Sequence, residues 1–182
     1  MDRVFLLDRS GSMDLCLQDT IGGFNSFVKS QKSLGGTLAL YYFDHEFTPM
    51  YTKTPINEVE DITTETYVPR GSTALLDAIG QLIKIEQTDG AAKTVVILTD
   101  GQENSSRIYT KAHIKDLVTA KEKEGWQFIY LGANQDAFAE AQAMGIAAGR
   151  TLNYDVNNTP QLFATVSAAM SHATQSGTPF EF

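Results

Sequence analysis

The chain has 182 residues, 42% of them apolar and 20% charged, the make-up of a folded domain with a full core rather than of a disordered segment. A net charge of −8 and a pI near 4.8 argue against the basic face that a nucleic-acid or anionic-membrane binder needs. The single cysteine, Cys16, rules out an intrachain disulfide and a cysteine-based zinc cluster.

Val4, Phe5, Leu6 and Leu7 form an unbroken apolar run, which predicts a strand buried on both faces of a parallel sheet and ending at Asp8. Nothing resembling a secretory leader precedes it, and no apolar run approaches the roughly 20 residues of a membrane span. The expected compartment is therefore the cytosol, without membrane insertion. Ile21, Phe24, Phe27 and Val28 recur at helical spacing and predict a helix over about 15–33, stopped by Gly35-Gly36. Residues 38–43 repeat the apolar run. The turn Asp44-His45-Glu46 is too short for a crossover, so the strand over 47–52 must be antiparallel, at one edge of the sheet. An acidic segment with a helical turn or two leads to Pro69, and Arg70-Gly71-Ser72-Thr73 opens a helix with Leu75, Ile79, Leu82 and Ile83 on one face. Residues 94–100 form another buried strand, ending in Asp100. After a polar loop, Thr110 caps a helix that Gly125 ends. A fifth strand over 126–131, a short helix carrying Phe138, Ala141 and Met144, and a weaker edge strand over 150–154 follow. Thr159 caps and Pro160 starts a last helix, with Leu162, Val166, Met170 and Ala173 inward.

Strand and helix alternate almost throughout. The predicted fold is α/β: a doubly wound, Rossmann-like, mostly parallel six-stranded sheet with one antiparallel edge strand and helices on both faces. Residues 1–175 read as a single domain and 176–182 as a flexible tail. The histidines, His45, His113 and His172, are scattered on a turn and two helices and read as surface residues, and Cys16 as a small apolar side chain.

Three pieces converge on the C-terminal rim of such a sheet, where open α/β sheets place their ligands. They are Asp8-x-Ser10-x-Ser12, Gly71-Ser72-Thr73 and Thr99-Asp100-Gly101. They offer two carboxylates and several hydroxyls, with no histidine and no thiolate. Oxygen ligands alone select a hard cation, Mg2+ first, with Mn2+ or Ca2+ as alternatives. Alternation at Asp8, Ser10 and Ser12 points three oxygens inward in succession, and Gly11 permits the tight path.

These pieces resemble the metal-ion-dependent adhesion site of von Willebrand factor type A domains, whose motif is Asp-x-Ser-x-Ser, a later threonine and a later aspartate. Asp8, Ser10, Ser12, Thr73 and Asp100 match all five positions. Gly11-Ser12-Met13 and Thr99-Asp100-Gly101-Gln102-Glu103-Asn104 resemble the bacterial and intracellular branches. The resemblance spans roughly 4–131 and is compatible in element order beyond. It implies that Ser10 and Ser12 coordinate the ion directly, that Thr73 does so in the ligand-bound arrangement, and that Asp8 and Asp100 act largely through water. It further implies that a protein partner's Asp or Glu carboxylate fills the open position. Asp77 is either an acceptor reaching back toward the Thr73 loop or an ordinary helix-surface carboxylate. Glu103, Asn104, Arg107 and Asn134 are expected on the same rim, as partner-selecting or simply solvated residues.

The leading reading is a divalent-cation-dependent protein-binding module without catalysis, since no nucleophile–base pair is present. The alternative is a Mg2+-dependent phosphohydrolase of the haloacid dehalogenase kind, using Asp8. That chemistry needs a second aspartate two positions on, where this chain has Ser10, a poor proton shuttle at neutral pH.

Overall fold

The computed structural model describes residues 1–133 and 136–182. Among them, six strands form one sheet: β1 (Asp2–Asp8), β2 (Thr37–Phe43), β3 (Phe47–Pro55), β4 (Lys93–Thr99), β5 (Gln127–Ala133) and β6 (Thr151–Tyr154). Their order is β3-β2-β1-β4-β5-β6. All neighbours are parallel except β3, which runs antiparallel to β2 at one edge. The chain winds outward from the middle in both directions, so the switch point lies between β1 and β4.

Successive strand residues point to opposite faces. Val4 and Leu6 pack with α2 (Leu75–Glu86), α3 (Lys111–Lys123) and α4 (Ala137–Ala143). Phe5 and Leu7 pack with α1 (Leu17–Gln31) and α5 (Thr159–Ser176). Both faces are covered, which is why the central strands read as apolar runs. Phe5 meets Phe24 and Phe27 of α1 edge-on, with ring centroids 5.3 and 4.8 Å apart; each such pair contributes about 1 kcal/mol beyond burial. Gly23 lets α5 approach α1: a Cβ there would lie 2.3 Å from Phe163 Cδ2. Among the described residues, no helix is long and apolar enough to cross a membrane.

Several local expectations change. α1 begins only at Leu17, because 3-10 turns over Gly11–Cys16 come first. They are set by bonds such as Met13 N–H to Ser10 O, 3.0 Å. β3 continues to Pro55 past register shifts and a left-handed Lys53 (φ 47°). Thr159 does not cap α5; its hydroxyl donates back to Val156 O at 3.0 Å. The last residues, read from sequence as a loose tail, return to the sheet. Phe180 is buried, its N–H donates to Gln127 Oε1 at 2.6 Å, and Phe182 N–H donates to Gly149 O at 2.9 Å.

Candidate metal centre

Parallel pairing sets Leu7 of β1 opposite Leu98 of β4, so the two strands end side by side at the switch point. Asp8 closes β1, Thr99 closes β4, and Asp100 follows it directly. The chain leaves β1 through Ser10, whose N–H turns back to Asp8 Oδ1 at 2.7 Å. Ser10 Oγ and Ser12 Oγ lie 3.3 Å apart, and Ser12 Oγ donates to Asp100 Oδ1 at 2.7 Å. The loop before α2 joins by a backbone bond from Gly11 N–H to Gly71 O, 3.1 Å. Gly101 marks the convergence. A Cβ built there would lie 2.9 Å from Thr73 Oγ1 and 3.7 Å from both Asp8 Oδ2 and Ser10 Oγ. The five residues singled out in the sequence, Asp8, Ser10, Ser12, Thr73 and Asp100, therefore meet at one point.

The electrostatics of this point are unbalanced. Asp8 has no exposed surface; burial pushes its carboxyl up to about 6, and the nearby Asp100 charge adds to the rise against the hydrogen bonds from Thr99 and Ser10. Burial raises the Asp100 carboxyl as well, against the bond from the Ser12 hydroxyl. Asp100 Oδ2 is buried without a hydrogen-bond partner, a costly state for a carboxylate oxygen. Two buried carboxylates, three neutral hydroxyls and an orphaned oxygen fit a hard divalent cation, and the missing side chain at Gly101 leaves space beside them.

A further set of contacts, unforeseen in the sequence, fixes the three loops. Thr99 Oγ1 donates to Asp8 Oδ2 at 2.6 Å. The buried Tyr67 hydroxyl donates to the Asp8 carbonyl oxygen. Asn104 clasps Thr73 from both sides: its Oδ1 accepts from Thr73 N, 2.9 Å, and its own N–H donates to Thr73 O, 3.0 Å. Glu103 is not a free rim group. Its carboxylate accepts from Leu76 N at the start of α2, 2.9 Å, and from the backbone of Ser105 and Ser106, 3.0 and 2.7 Å. Such an anion at a helix N-terminus is favourable. Asp77 does not reach the Thr73 loop; it accepts the N–H groups of Arg107, Ile108 and Tyr109 at 2.8, 3.0 and 2.9 Å. Arg107 is exposed. Asn134 lies outside the described residues.

Asp44, at the end of β2, ties two of the loops together. Its Oδ2 takes Arg9 Nε and Arg70 Nε, each at 2.9 Å, and its carbonyl takes Ala74 N at 2.8 Å. Burial alone would raise the Asp44 carboxyl, but the Glu46 N–H and the two guanidiniums hold it below the usual carboxylate range. Asp44, His45 and Glu46 come close enough together to hold a cation. Yet Asp44 is already neutralised by two arginines, and Glu46 pairs with Arg70. The trio is an ion-pair cluster. One signal for it stood in the sequence: β2 ends in a carboxylate just as β1 and β4 do.

No family model and no curated protein matches the sequence. Solved structures do match in fold. The vWF domain of the type V pili tip protein Mfa5 from Porphyromonas gingivalis superposes with a TM-score of 0.71 at 13% identity, covering 96% of each chain. A von Willebrand factor type A structure from Catenulispora acidiphila gives 0.59 at 15% identity, covering 92% of this chain and 42% of that longer one. The manganese-loaded TRAP protein of Plasmodium vivax gives 0.64 at 17% identity, covering 89% and 71%. The chain has the fold of the von Willebrand factor type A domains.

Proposed function

We propose that this chain is a divalent-cation-dependent protein-binding module. In this reading Asp8, Ser10, Ser12, Thr73 and Asp100 hold the ion, Mg2+ first, with Mn2+ or Ca2+ as alternatives. The observation that carries the reading is the orphaned, buried Asp100 Oδ2 beside a second buried carboxylate and three hydroxyls gathered around Gly101. A manganese-loaded neighbour of the same fold supports it. Ser10 and Ser12 supply neutral oxygens, so the two aspartates balance a dication without overwhelming it. The ion, when bound, supplies a Lewis-acidic position for one further oxygen, which we assign to an Asp or Glu carboxylate of a protein partner.

The hydrolase alternative is disfavoured by the state of Asp8. A nucleophilic carboxylate needs an oxygen open to substrate, whereas this one has no exposed surface and bonds through both oxygens. Mn2+ titration followed by electron paramagnetic resonance should find one tight site per chain, lost when Ser10 and Ser12 are both changed to Ala with the circular dichroism spectrum unchanged. Equal Mn2+ binding by the two proteins would sink the assignment. Steady phosphate release from an aryl phosphate, abolished by Asp8→Ala, would replace it with the enzyme.

A further inference from the structure

Thr73 differs from the other residues of the metal centre in what supports it. Asp8 ends β1, with Ser10 and Ser12 just beyond, and Asp100 directly follows β4, whereas Thr73 lies in the loop before α2. Its backbone is held by the loop that follows Asp100. Thr73 N–H donates to Asn104 Oδ1 at 2.9 Å, and Thr73 O accepts from Asn104 N–H and Ser105 N–H at 3.0 and 3.2 Å. None of these bonds is helical. A helix continued back to Thr73 would take Asp77 N–H onto Thr73 O; here Asp77 N–H donates to Ser106 Oγ at 3.0 Å, and Leu76 N–H to Glu103 Oε2 at 2.9 Å.

The reason lies in the sequence at the start of α2. Its N-cap is Ala74, which has no side-chain oxygen to satisfy the first N–H groups of the helix. Glu103 and Ser106 supply that cap from the other loop, and Asp77 returns it by accepting the N–H groups of Arg107 and Ile108. The start of α2 and the loop after Asp100 therefore cap each other. The Thr73 side chain is treated in the opposite way. The residue is buried, yet its hydroxyl forms no hydrogen bond among the described residues. That hydroxyl lies 2.9 Å from the position of a Cβ on Gly101, a point 3.7 Å from both Asp8 Oδ2 and Ser10 Oγ.

We infer that Asn104 is a positioning residue of the metal centre. It clasps the Thr73 backbone from both sides and so leaves the hydroxyl free and aimed at the ion's place. Because Asn104 stands four positions after Asp100, the clasp also makes Thr73 and Asp100 one half of the centre, assembled before any ion arrives. Asp8, Ser10 and Ser12 form the other half. A ligand ordered in advance spares the ion the cost of ordering it. The assignment rests on the metal-dependent reading above and needs no contact between Asn104 and the ion.

A double-mutant cycle in Mn2+ affinity, read by electron paramagnetic resonance on the whole chain, tests it. Asn104→Ala removes the acceptor for Thr73 N–H and should weaken Mn2+ binding by about tenfold or more. Asn104→Asp keeps an oxygen at that place and should restore most of the loss. Thr73→Ala should weaken binding too, and adding Asn104→Ala to it should cost less than about twofold more, because the oxygen that Asn104 positions is already gone. The metal-free protein gives a second reading. In chelator the Thr73 amide should exchange slowly with deuterium, about tenfold or more faster in Asn104→Ala, and slowly again in Asn104→Asp. Losses that multiply in the double variant, or wild-type affinity in Asn104→Ala, would overturn the positioning role. Wild-type affinity in Thr73→Ala would remove the ligand that Asn104 is said to position. A Thr73 amide unprotected in chelator would overturn the assembly of this half in advance of the ion. Each of these results leaves Mn2+ binding by the wild type in place; absence of that binding would instead overturn the metal-dependent reading itself.

Discussion

Asp8→Asn should stabilise the metal-free protein while abolishing its response to divalent cations. Burial pushes the Asp8 carboxyl up to about 6, whereas the unfolded chain releases that proton near pH ~4. Between those values the native state binds a proton that the unfolded state has lost. Native stability therefore falls as pH rises through about 4 to 6, and the whole deficit is present at pH 7. A rise of this size corresponds to about 3 kcal/mol. Asparagine can keep the local bonds. Ser10 N–H still donates to Oδ1, the new amide donates to Thr99 Oγ1, and the Thr99 hydroxyl turns to Gly101 O, 3.1 Å away. Removing the buried charge should then raise Tm in chelator at pH 7 by about 6–12 °C for a chain of this length. Near pH ~4 the two proteins should melt together. Wild type should gain stability with Mg2+ or Mn2+, as any ligand of the native state requires, and the variant should not. Calorimetry across pH, with and without cation, reads all of this. A variant less stable than wild type in chelator at pH 7 would refute the idea that Asp8 is an uncompensated charge. A variant with the wild-type cation response would refute the location of the site.

Gly101→Ala puts a Cβ 2.9 Å from Thr73 Oγ1; calorimetric titration should show Mn2+ affinity down by about tenfold, with metal-free stability changed by less than about 1 kcal/mol. Asp44→Asn leaves Arg9 and Arg70 without their shared carboxylate and should cost about 2–4 kcal/mol in urea unfolding at pH 7. Because the Asp44 carboxyl is held low, that stabilisation is present above about pH 4 and is lost as pH falls below it, so wild type and variant should converge in acid. Gly23→Ala drives a Cβ to 2.3 Å from Phe163 Cδ2; the expected loss is about 1–3 kcal/mol, read as a lower denaturation midpoint at unchanged slope, with partial recovery on adding Phe163→Leu.

The strands and the ligand-type residues were legible because both are written locally. An apolar run that ends in a carboxylate marks a buried strand reaching the rim, and the register of Leu7 with Leu98 then brings Asp8 and Asp100 together. What the sequence hid depends on the paths of loops. Glu103 reaches back to Leu76, and Asp77 forward to Ile108, across intervals with no periodic signal. Arg9 and Arg70 meet at Asp44 only because Arg70 N–H bonds Arg9 O and Gly11 N–H bonds Gly71 O. The contacts of the last residues were not legible because they rest on Phe180 and on backbone bonds to Gln127 and Gly149, and a lone aromatic near a terminus carries no pattern.

Three carboxylates, Asp8, Asp44 and Asp100, end central strands with nearly the same sequence signal, and their fates differ. Asp44 has two guanidiniums against it and is held below the usual range. Asp8 and Asp100 are met by hydroxyls and backbone N–H groups, form no ion pair among the described residues, and are both pushed up. The same rim thus contains its own control. Where the fold needed a carboxylate for structure alone, it supplied arginines to neutralise it. Where it buried two carboxylates together and left one oxygen without a partner, it supplied only neutral donors. On the proposed reading, the positive charge that completes those two comes from outside the chain, and the oxygen-only donor set suits a hard cation.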